Sequence, residues 1–297
     1  MNVLITGGNG LIGQSLVKKL RERNHTVRIL TRSNAVKPDE FQWNIAEQFI
    51  DEKAFENLDS IIHLAGASIS EKWTDEYKKE LFASRINTAE LLKKYCVKHN
   101  IHLKSFISAS GINYYGTFTS DQILDENSGI IKHDFLAKLC EDWEKSANRF
   151  SDIADKVVCL RTSMVLAKNG GGFPMLKKTV DFNIGSAVGS GKQWMNWIHI
   201  DDLVDMYVFA LENPQIKGKF NAVADEIPTN EKFMKTLADI SGKSFLPINV
   251  PGFVMKLIFG EMSSIILEGT RASNKKIKSL GFDFKYSKLE KAFESLK

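Results

Sequence analysis

Residues 6–13 read T-G-G-N-G-L-I-G, and what stands on either side of them decides the fold. Before them, Val3-Leu4-Ile5 is a short apolar run of the kind a buried strand makes. After them, Leu11, Ile12, Leu16, Val17 and Leu20 recur at the three-and-four spacing of an amphipathic helix. A strand, a glycine turn and a helix in that order give the glycines at 7, 10 and 13 separate tasks. Gly7 turns the chain off the strand, Gly10 lets the backbone approach a pyrophosphate, and Gly13 lets the helix close on the sheet. The helix start adds unpaired N–H groups and a partial positive charge. A dinucleotide site is expected here.

Outward from this motif, strand-like and helix-like patterns alternate. Strands are expected over 25–31, 41–44, 59–66, 105–110 and 156–162. Between them lie a long helix over 74–99, capped by Thr74, and another over 134–150. The alternation predicts an α/β fold, a Rossmann-like doubly wound parallel sheet. Past Val165 the rhythm breaks. Segments 169–172 and 185–191 read as flexible and glycine-rich, and Asp201-Asp202 is expected to cap a helix running through Leu211. The chain therefore divides into a Rossmann domain over 1–165, with segments around 190–212 returning to it, and a smaller C-terminal α+β substrate lobe over 166–297.

The second strand ends at Thr31-Arg32-Ser33. An acidic residue at this point would bond a ribose 2′-OH, whereas a basic one receives a 2′-phosphate. Guanidinium and phosphate attract strongly and pair in a bidentate manner, so Arg32 points to NADP rather than NAD. Trp43 either flanks an adenine or packs in the core, and His63, inside a strand, reads as structural.

Composition narrows the function class. With 40 basic and 36 acidic residues among 297, the net charge of +4 is too even for a nucleic-acid binder. Cys96, Cys140 and Cys159 show no paired spacing, which argues against a disulfide framework or a metal site and fits a reducing compartment. No leader pattern is seen at the N-terminus, and no apolar run reaches the roughly 18 residues a membrane span requires. A cytoplasmic protein that binds neither membrane nor nucleic acid is expected.

Further motifs carry a resemblance. H-L-A-G at 63–66, S-A-S at 108–110 with Y-Y-G at 114–116, and W-I-H-I-D-D at 197–202 resemble the extended, sugar-nucleotide epimerase/dehydratase side of the short-chain dehydrogenase/reductase superfamily. More specifically, the chain resembles an atypical branch labelled "epimerase family protein". That likeness rests on Trp73, Ser84-Arg85-Ile86, Asp134-Phe135-Leu136, Trp143-Glu144, Gly170-Gly171-Gly172, the segment 189–202 and a C-terminal segment 251–297. The C-terminal segment holds Gly260-Glu261-Met262, Leu267-Glu268-Gly269 and Leu280-Gly281-Phe282. The resemblance implies an NADP(H) site made by Gly7, Gly8, Asn9, Gly10, Leu11, Ile12, Gly13, Thr31, Arg32, Leu64, Ala65, Glu80, Arg85, Ser108 and Val165. It also implies a small-molecule substrate, and a homodimer formed through the helices at 74–99 and 134–150.

The resemblance fails at one place. The superfamily uses a Ser or Thr after the fifth strand and a Tyr-x-x-x-Lys on the next helix, the phenol exchanging a proton with substrate. Ser110 is present, but residues 133–139 read H-D-F-L-A-K-L. Either Phe135 and Leu139 or Asp134 and Lys138 fall on the pair, and neither register gives a phenol beside an ammonium. Tyr114 and Tyr115 are the candidate stand-ins, with His199 a weaker one. The expected function is an NADP(H)-dependent oxidoreductase or epimerase acting on a small carbonyl or sugar-like substrate with a non-standard proton donor. The alternative is a non-catalytic NADP(H)-binding redox sensor or partner-binding scaffold.

Overall fold

The computed structural model describes residues 1–297. In chain order the elements are β1 (Asn2–Thr6), α1 (Leu11–Glu22), β2 (Thr26–Thr31), β3 (Glu40–Asn44), β4 (Phe49–Ile50), β5 (Ser60–His63), α2 (Asp75–Ala83) and α3 (Ile86–Lys98). There follow β6 (Ser105–Gly111), β7 (Ile123–Leu124), α4 (Phe135–Asn148), β8 (Val157–Thr162), β9 (Met164–Leu166), α5 (Phe173–Asp181), β10 (Gly185–Val188), β11 (Trp197–His199), α6 (Ile200–Glu212) and β12 (Gly218–Ala222). The remainder is α7 (Asn230–Ile240), β13 (Phe245–Val250), α8 (Gly252–Phe259), α9 (Ser263–Leu267), β14 (Arg271–Ala272), α10 (Lys275–Ser279) and α11 (Leu289–Ser295).

The main sheet has eight strands in the order β12-β8-β6-β5-β1-β2-β3-β4. Every pair is parallel except β3 with β4. Side chains alternate across a strand, so β1 feeds two cores. Val3 and Ile5 join α1 and α6 on one face, while Leu4 joins residues of α3 and α4 on the other. Burial on both faces is why these strands read as unbroken apolar runs. The expected doubly wound parallel sheet is present. Its order reverses at β1, which leaves a crevice over the carboxyl ends of β1 and β5, where ligands of such sheets bind.

Four expectations about elements need correction. The helix over 74–99 is two helices, broken at Ser84-Arg85: the Leu81 carbonyl accepts from the Arg85 guanidinium at 3.0 Å and the Ser84 hydroxyl at 3.3 Å, and the Arg85 amide turns to the Phe82 carbonyl instead. Residues 185–188 form β10, paired with β13, rather than a flexible stretch. The segment 218–222, assigned to the lobe, is β12 at the edge of the main sheet. Finally, α6 is capped by His199, whose ring accepts from the Asp201 amide, and not by the aspartates. A separate hydrophobic cluster gathers Phe173, Trp197, Phe233 and Phe293. No helix is long and apolar enough to cross a membrane.

Candidate functional site

The glycine turn is shaped by backbone contacts. A Cβ on Gly13 would stand 2.2 Å from Gly7 O, and one on Gly7, where φ is +71°, would stand 2.9 Å from the Leu64 carbonyl carbon. These two glycines let α1, β1 and the end of β5 meet. Gly10 differs: it is exposed, and its Cβ would meet nothing closer than Gly7 O at 3.3 Å. It caps α1 without a side-chain bond, the first turn holds no acidic residue, and the amides of Leu11, Ile12 and Gly13 have no hydrogen-bond partner. An open, uncapped helix start beside bare backbone fits a pyrophosphate.

At the tip of β2, Thr31 is buried and Arg32 exposed. The nearest carboxylates in sequence are taken, Asp39 by Arg21 and Glu40 by Lys37, and Arg32 has neither an ion pair nor a hydrogen bond. A cation without a partner fits a 2′-phosphate. Trp43, by contrast, is a core residue packed with Ile50 and Leu58 and does not reach the crevice.

Between β1 and β5 the Thr6 hydroxyl organises the floor. It accepts from the amides of Leu64 and Ala65 at 3.2 and 3.1 Å and donates to His63 Nδ1 at 2.8 Å. His63 Nε2–H then donates to the Arg85 carbonyl, a tautomer set by these partners. Burial holds His63 down to about 4, so the ring is a neutral strut, as its place in a strand suggested. Arg85 is itself buried, its guanidinium donating to the carbonyls of Leu81 and Ala67 and lying 4.9 Å from the Trp143 ring. Its Nε has no partner. Glu80 is exposed on α2. Val165 joins the same end of the sheet through β9, and Gly171 lies against both its carbonyl and Leu11.

Beyond β6 a buried polar cluster appears. Ser110 Oγ donates to Glu144 Oε1 at 3.0 Å. Arg161 Nε donates to the same oxygen at 2.7 Å and Arg161 Nη2 to Oε2 at 3.0 Å, with Lys219 Nζ 3.4 Å from Oε2. Arg161 Nη1 reaches the Tyr115 hydroxyl, which donates to Asn221 Oδ1 at 2.8 Å. Ser108 is sealed inside β6, its hydroxyl on the Ala109 carbonyl.

This geometry revises the proton-donor candidates. Tyr115 is fully buried and bonded at its oxygen, and burial pushes its phenol up to about 12, so it is a framework residue. Tyr114 is half-buried, with the Arg161 guanidinium 3.5 Å over its ring. His199 is buried under Tyr286, and its Nε2 meets the Ser295 hydroxyl. Neither register considered for α4 faces Ser110. Glu144 bonds Ser110, and a Cβ on Gly111 would stand 3.0 Å from Cys140 Sγ, so the stripe facing this edge is Leu136–Cys140–Glu144. Leu136 and Cys140 occupy the positions a Tyr and Lys would need. Phe135 packs on Trp73 and Phe82 instead, Asp134 caps α4, and Lys138 pairs with Asp142 on the surface.

Sequence reasoning missed Glu144 and Arg161 as site residues. The available signal was an arginine inside the otherwise apolar strand V-V-C-L-R-T, which cannot be buried without an anion.

Comparison with known proteins places these features. The NAD dependent epimerase/dehydratase family matches residues 3–223, and a domain of unknown function (DUF1731) matches 250–296. An epimerase family protein of Staphylococcus aureus is 34% identical over 297 residues, covering 99% of this chain and 98% of that protein. One from Staphylococcus haemolyticus is 34% identical over 302 residues with the same coverage. Among solved structures, the human epimerase family protein SDR39U1 with NADPH superposes with a TM-score of 0.90 at 29% identity, covering 100% of this chain and 99% of that one. UDP-glucuronic acid 4-epimerase from Bacillus cereus, with NAD, shares the fold at a TM-score of 0.79 and 20% identity, covering 99% and 97%.

Proposed function

Since the chain belongs to the NAD dependent epimerase/dehydratase family, we propose that it binds NADP(H) across the crevice and acts as an oxidoreductase or epimerase-like enzyme on a small carbonyl or sugar-like substrate. One observation carries the cofactor reading: an uncapped α1 with free amides stands beside an exposed Arg32 that has no partner. The human relative with NADPH supports it. Gly7, Gly8, Asn9, Gly10, Leu11, Ile12 and Gly13 hold the pyrophosphate in this reading, Thr31 and Arg32 the 2′-phosphate, and Leu64, Ala65, Glu80, Arg85 and Val165 the remainder. Ser108, within β6, contributes only packing beneath. When bound, the nicotinamide supplies or accepts the hydride. Ser110 then orients a substrate oxygen, held in place by Glu144, and Tyr114 is the phenol left to exchange a proton with it.

The three cysteines, buried and unpaired, support a reducing compartment.

A second reading is favoured by the α4 stripe. Leu136 and Cys140 cannot relay a proton as Tyr and Lys do, which suits a protein that reports the NADPH/NADP⁺ ratio to a partner. Such a sensor must bind the two forms with different affinity, because a ligand shifts an equilibrium only through differential binding.

Titration of NADPH, NADP⁺ and NADH by tryptophan fluorescence tests the cofactor reading. Preference for NADPH over NADH that vanishes in Arg32→Ala is expected. Equal binding of both by the unaltered protein would overturn it. Turnover of NADPH with a carbonyl panel favours the enzyme, and unequal NADPH and NADP⁺ affinities without turnover favour the sensor.

A further inference from the structure

Helix α8 reads G-F-V-M-K-L-I-F, and none of its side chains is buried. A helix this apolar all round is ordinarily covered on every side. This one rests chiefly on α9 and the turn 260–262. Gly252, at its start, lies against Leu267 of α9, and Phe259, at its end, packs on the cluster of Trp73, Leu81 and Met262. Just beyond the helix Glu261 pairs with Lys78 at 2.6 Å, which ties the hairpin to α2.

At 100° per residue, Phe253 and Leu257 stand on the arc turned away from Phe259, with Ile258 on its flank. These three are 72%, 85% and 64% exposed, and Ile248, just before them on β13, is 80% exposed. Single exposed apolar residues scattered over a surface need no explanation. Several concentrated in one segment mark a face that something covers.

The charges around this face select its occupant. From Ile240 to Gly260 the chain carries Lys243 and Lys256, both exposed, and no aspartate or glutamate. A second copy paired about a two-fold axis would bring these lysines against the same lysines of its counterpart, with no carboxylate of the segment to answer them. Anionic lipid answers them. Apolar side chains enter the boundary of headgroups and acyl chains, while the ammonium groups stay among the phosphates. No helix is long and apolar enough to cross a membrane, but lying in its surface requires only an apolar face of this kind.

We propose that the outward face of α8, with Ile248 of β13, docks on an anionic lipid surface. Phe253, Leu257 and Ile258 enter the headgroup boundary, and Lys243 and Lys256 meet the lipid phosphates. The proposal goes beyond the function given above, does not rest on it, and replaces the expectation that the chain meets no membrane.

The test sediments the full-length protein with sucrose-loaded vesicles of phosphatidylcholine, alone or with a third of phosphatidylglycerol, at low and at high sodium chloride. Binding to the anionic vesicles that weakens with salt is expected. Phe253→Ser with Leu257→Ser should lower the partition coefficient at least about tenfold. Lys256→Gln should lower it about fivefold. Since all three side chains are exposed, the melting temperature of each variant should hold. No sedimentation, equal sedimentation with phosphatidylcholine alone, or no loss in the double variant overturns the proposal. Light scattering without vesicles is the second arm. A dimer that the double variant dissolves, with no vesicle binding, gives the face to a second copy and overturns the proposal as well.

Discussion

The hydroxyl of Ser110 and the carboxylate of Glu144 stand 3.0 Å apart, joining the end of β6 to the middle of α4. Around that bond Arg161 brings in β8 with two further donors to Glu144. Both charged side chains are 1% exposed, so water does not help either of them. Three elements that carry the candidate reaction edge are thus fastened through one carboxylate, and its position, not its chemistry alone, fixes where Ser110 points.

Removing Arg161 leaves Glu144 buried with Ser110 and a more distant Lys219 as its only partners. Breaking such a pair from one side costs about 3–5 kcal/mol, whereas replacing both charges with apolar groups of similar size is far less harmful. Arg161→Met is expected to lower the urea midpoint sharply, and Arg161→Met with Glu144→Leu to recover part of the loss. A single variant as stable as the unaltered protein would show that the pair does not hold this edge.

The two glycines at 10 and 13 separate folding from binding. Alanine at Gly13 places a methyl 2.2 Å from Gly7 O, and the backbone on both sides is fixed, so α1 must lift from the sheet. Overpacking of this kind costs about 1–3 kcal/mol, occasionally more. Alanine at Gly10 meets only Gly7 O at 3.3 Å, and stability is expected to change by less than about 1 kcal/mol. Its methyl would nevertheless stand beside the free amides of Leu11, Ile12 and Gly13, where the proposed pyrophosphate needs bare backbone. Gly13→Ala should therefore lower the melting temperature, and Gly10→Ala should weaken NADPH binding with the melting temperature nearly unchanged. Full NADPH affinity in Gly10→Ala would place the nucleotide elsewhere.

Much of this architecture was legible in the residues alone, and the reason is local. A strand buried on both faces must be an apolar run, as V-L-I and V-V-C-L are, and a helix start beside bare glycine leaves its mark within eight residues. What escaped depends on distant partners. The break between α2 and α3 sits where the Arg85 guanidinium folds back on the Leu81 carbonyl while also holding that of Ala67, 18 residues earlier. Strand β10, a glycine- and serine-rich segment, exists because β13 pairs with it from some 60 residues away. The facing stripe of α4 escaped for a related reason: helical periodicity offers several stripes, and only the bond from Ser110 to Glu144 selects one. Arg161 escaped in part only: its place in an apolar strand calls for a buried anion, but nothing local picks out Glu144, on α4, as that anion.

The buried histidines set a pH dependence. In the folded protein His63 stays neutral down to about 4, through burial first, while its ordinary value is 6.5. Between those values the unfolded chain binds more protons than the folded one. Stability is therefore whole above pH 6.5 and falls as the pH drops towards 4, by about 3 kcal/mol from this residue. His199, also lowered to about 4 chiefly by burial, acts in the same direction. Urea midpoints taken at pH 7.5 and 4.5 should differ clearly, and less so in His63→Gln. An unchanged difference in that variant would mean that His63 is not held neutral.

Tyr114 and Tyr115 are neighbours with opposite surroundings, which makes their phenylalanine variants informative. Tyr115 spends its hydroxyl on Asn221 and receives Arg161, all out of water. Tyr115→Phe strands the Asn221 oxygen and an Arg161 donor, each a buried group left unsatisfied at about 1–3 kcal/mol. Tyr114 is engaged through its ring, under the Arg161 guanidinium, and phenylalanine keeps that ring. Tyr114→Phe is therefore expected to change stability by less than about 0.5 kcal/mol. If the crevice holds a working enzyme with Tyr114 as its proton donor, NADPH turnover should fall in Tyr114→Phe while its melting temperature and NADPH affinity stay put. In Tyr115→Phe, stability should fall first, and any loss of turnover should track the unfolded fraction. Turnover intact in Tyr114→Phe would remove the last phenol from the candidate chemistry and leave the Ser110–Glu144 pair as the proton path to examine.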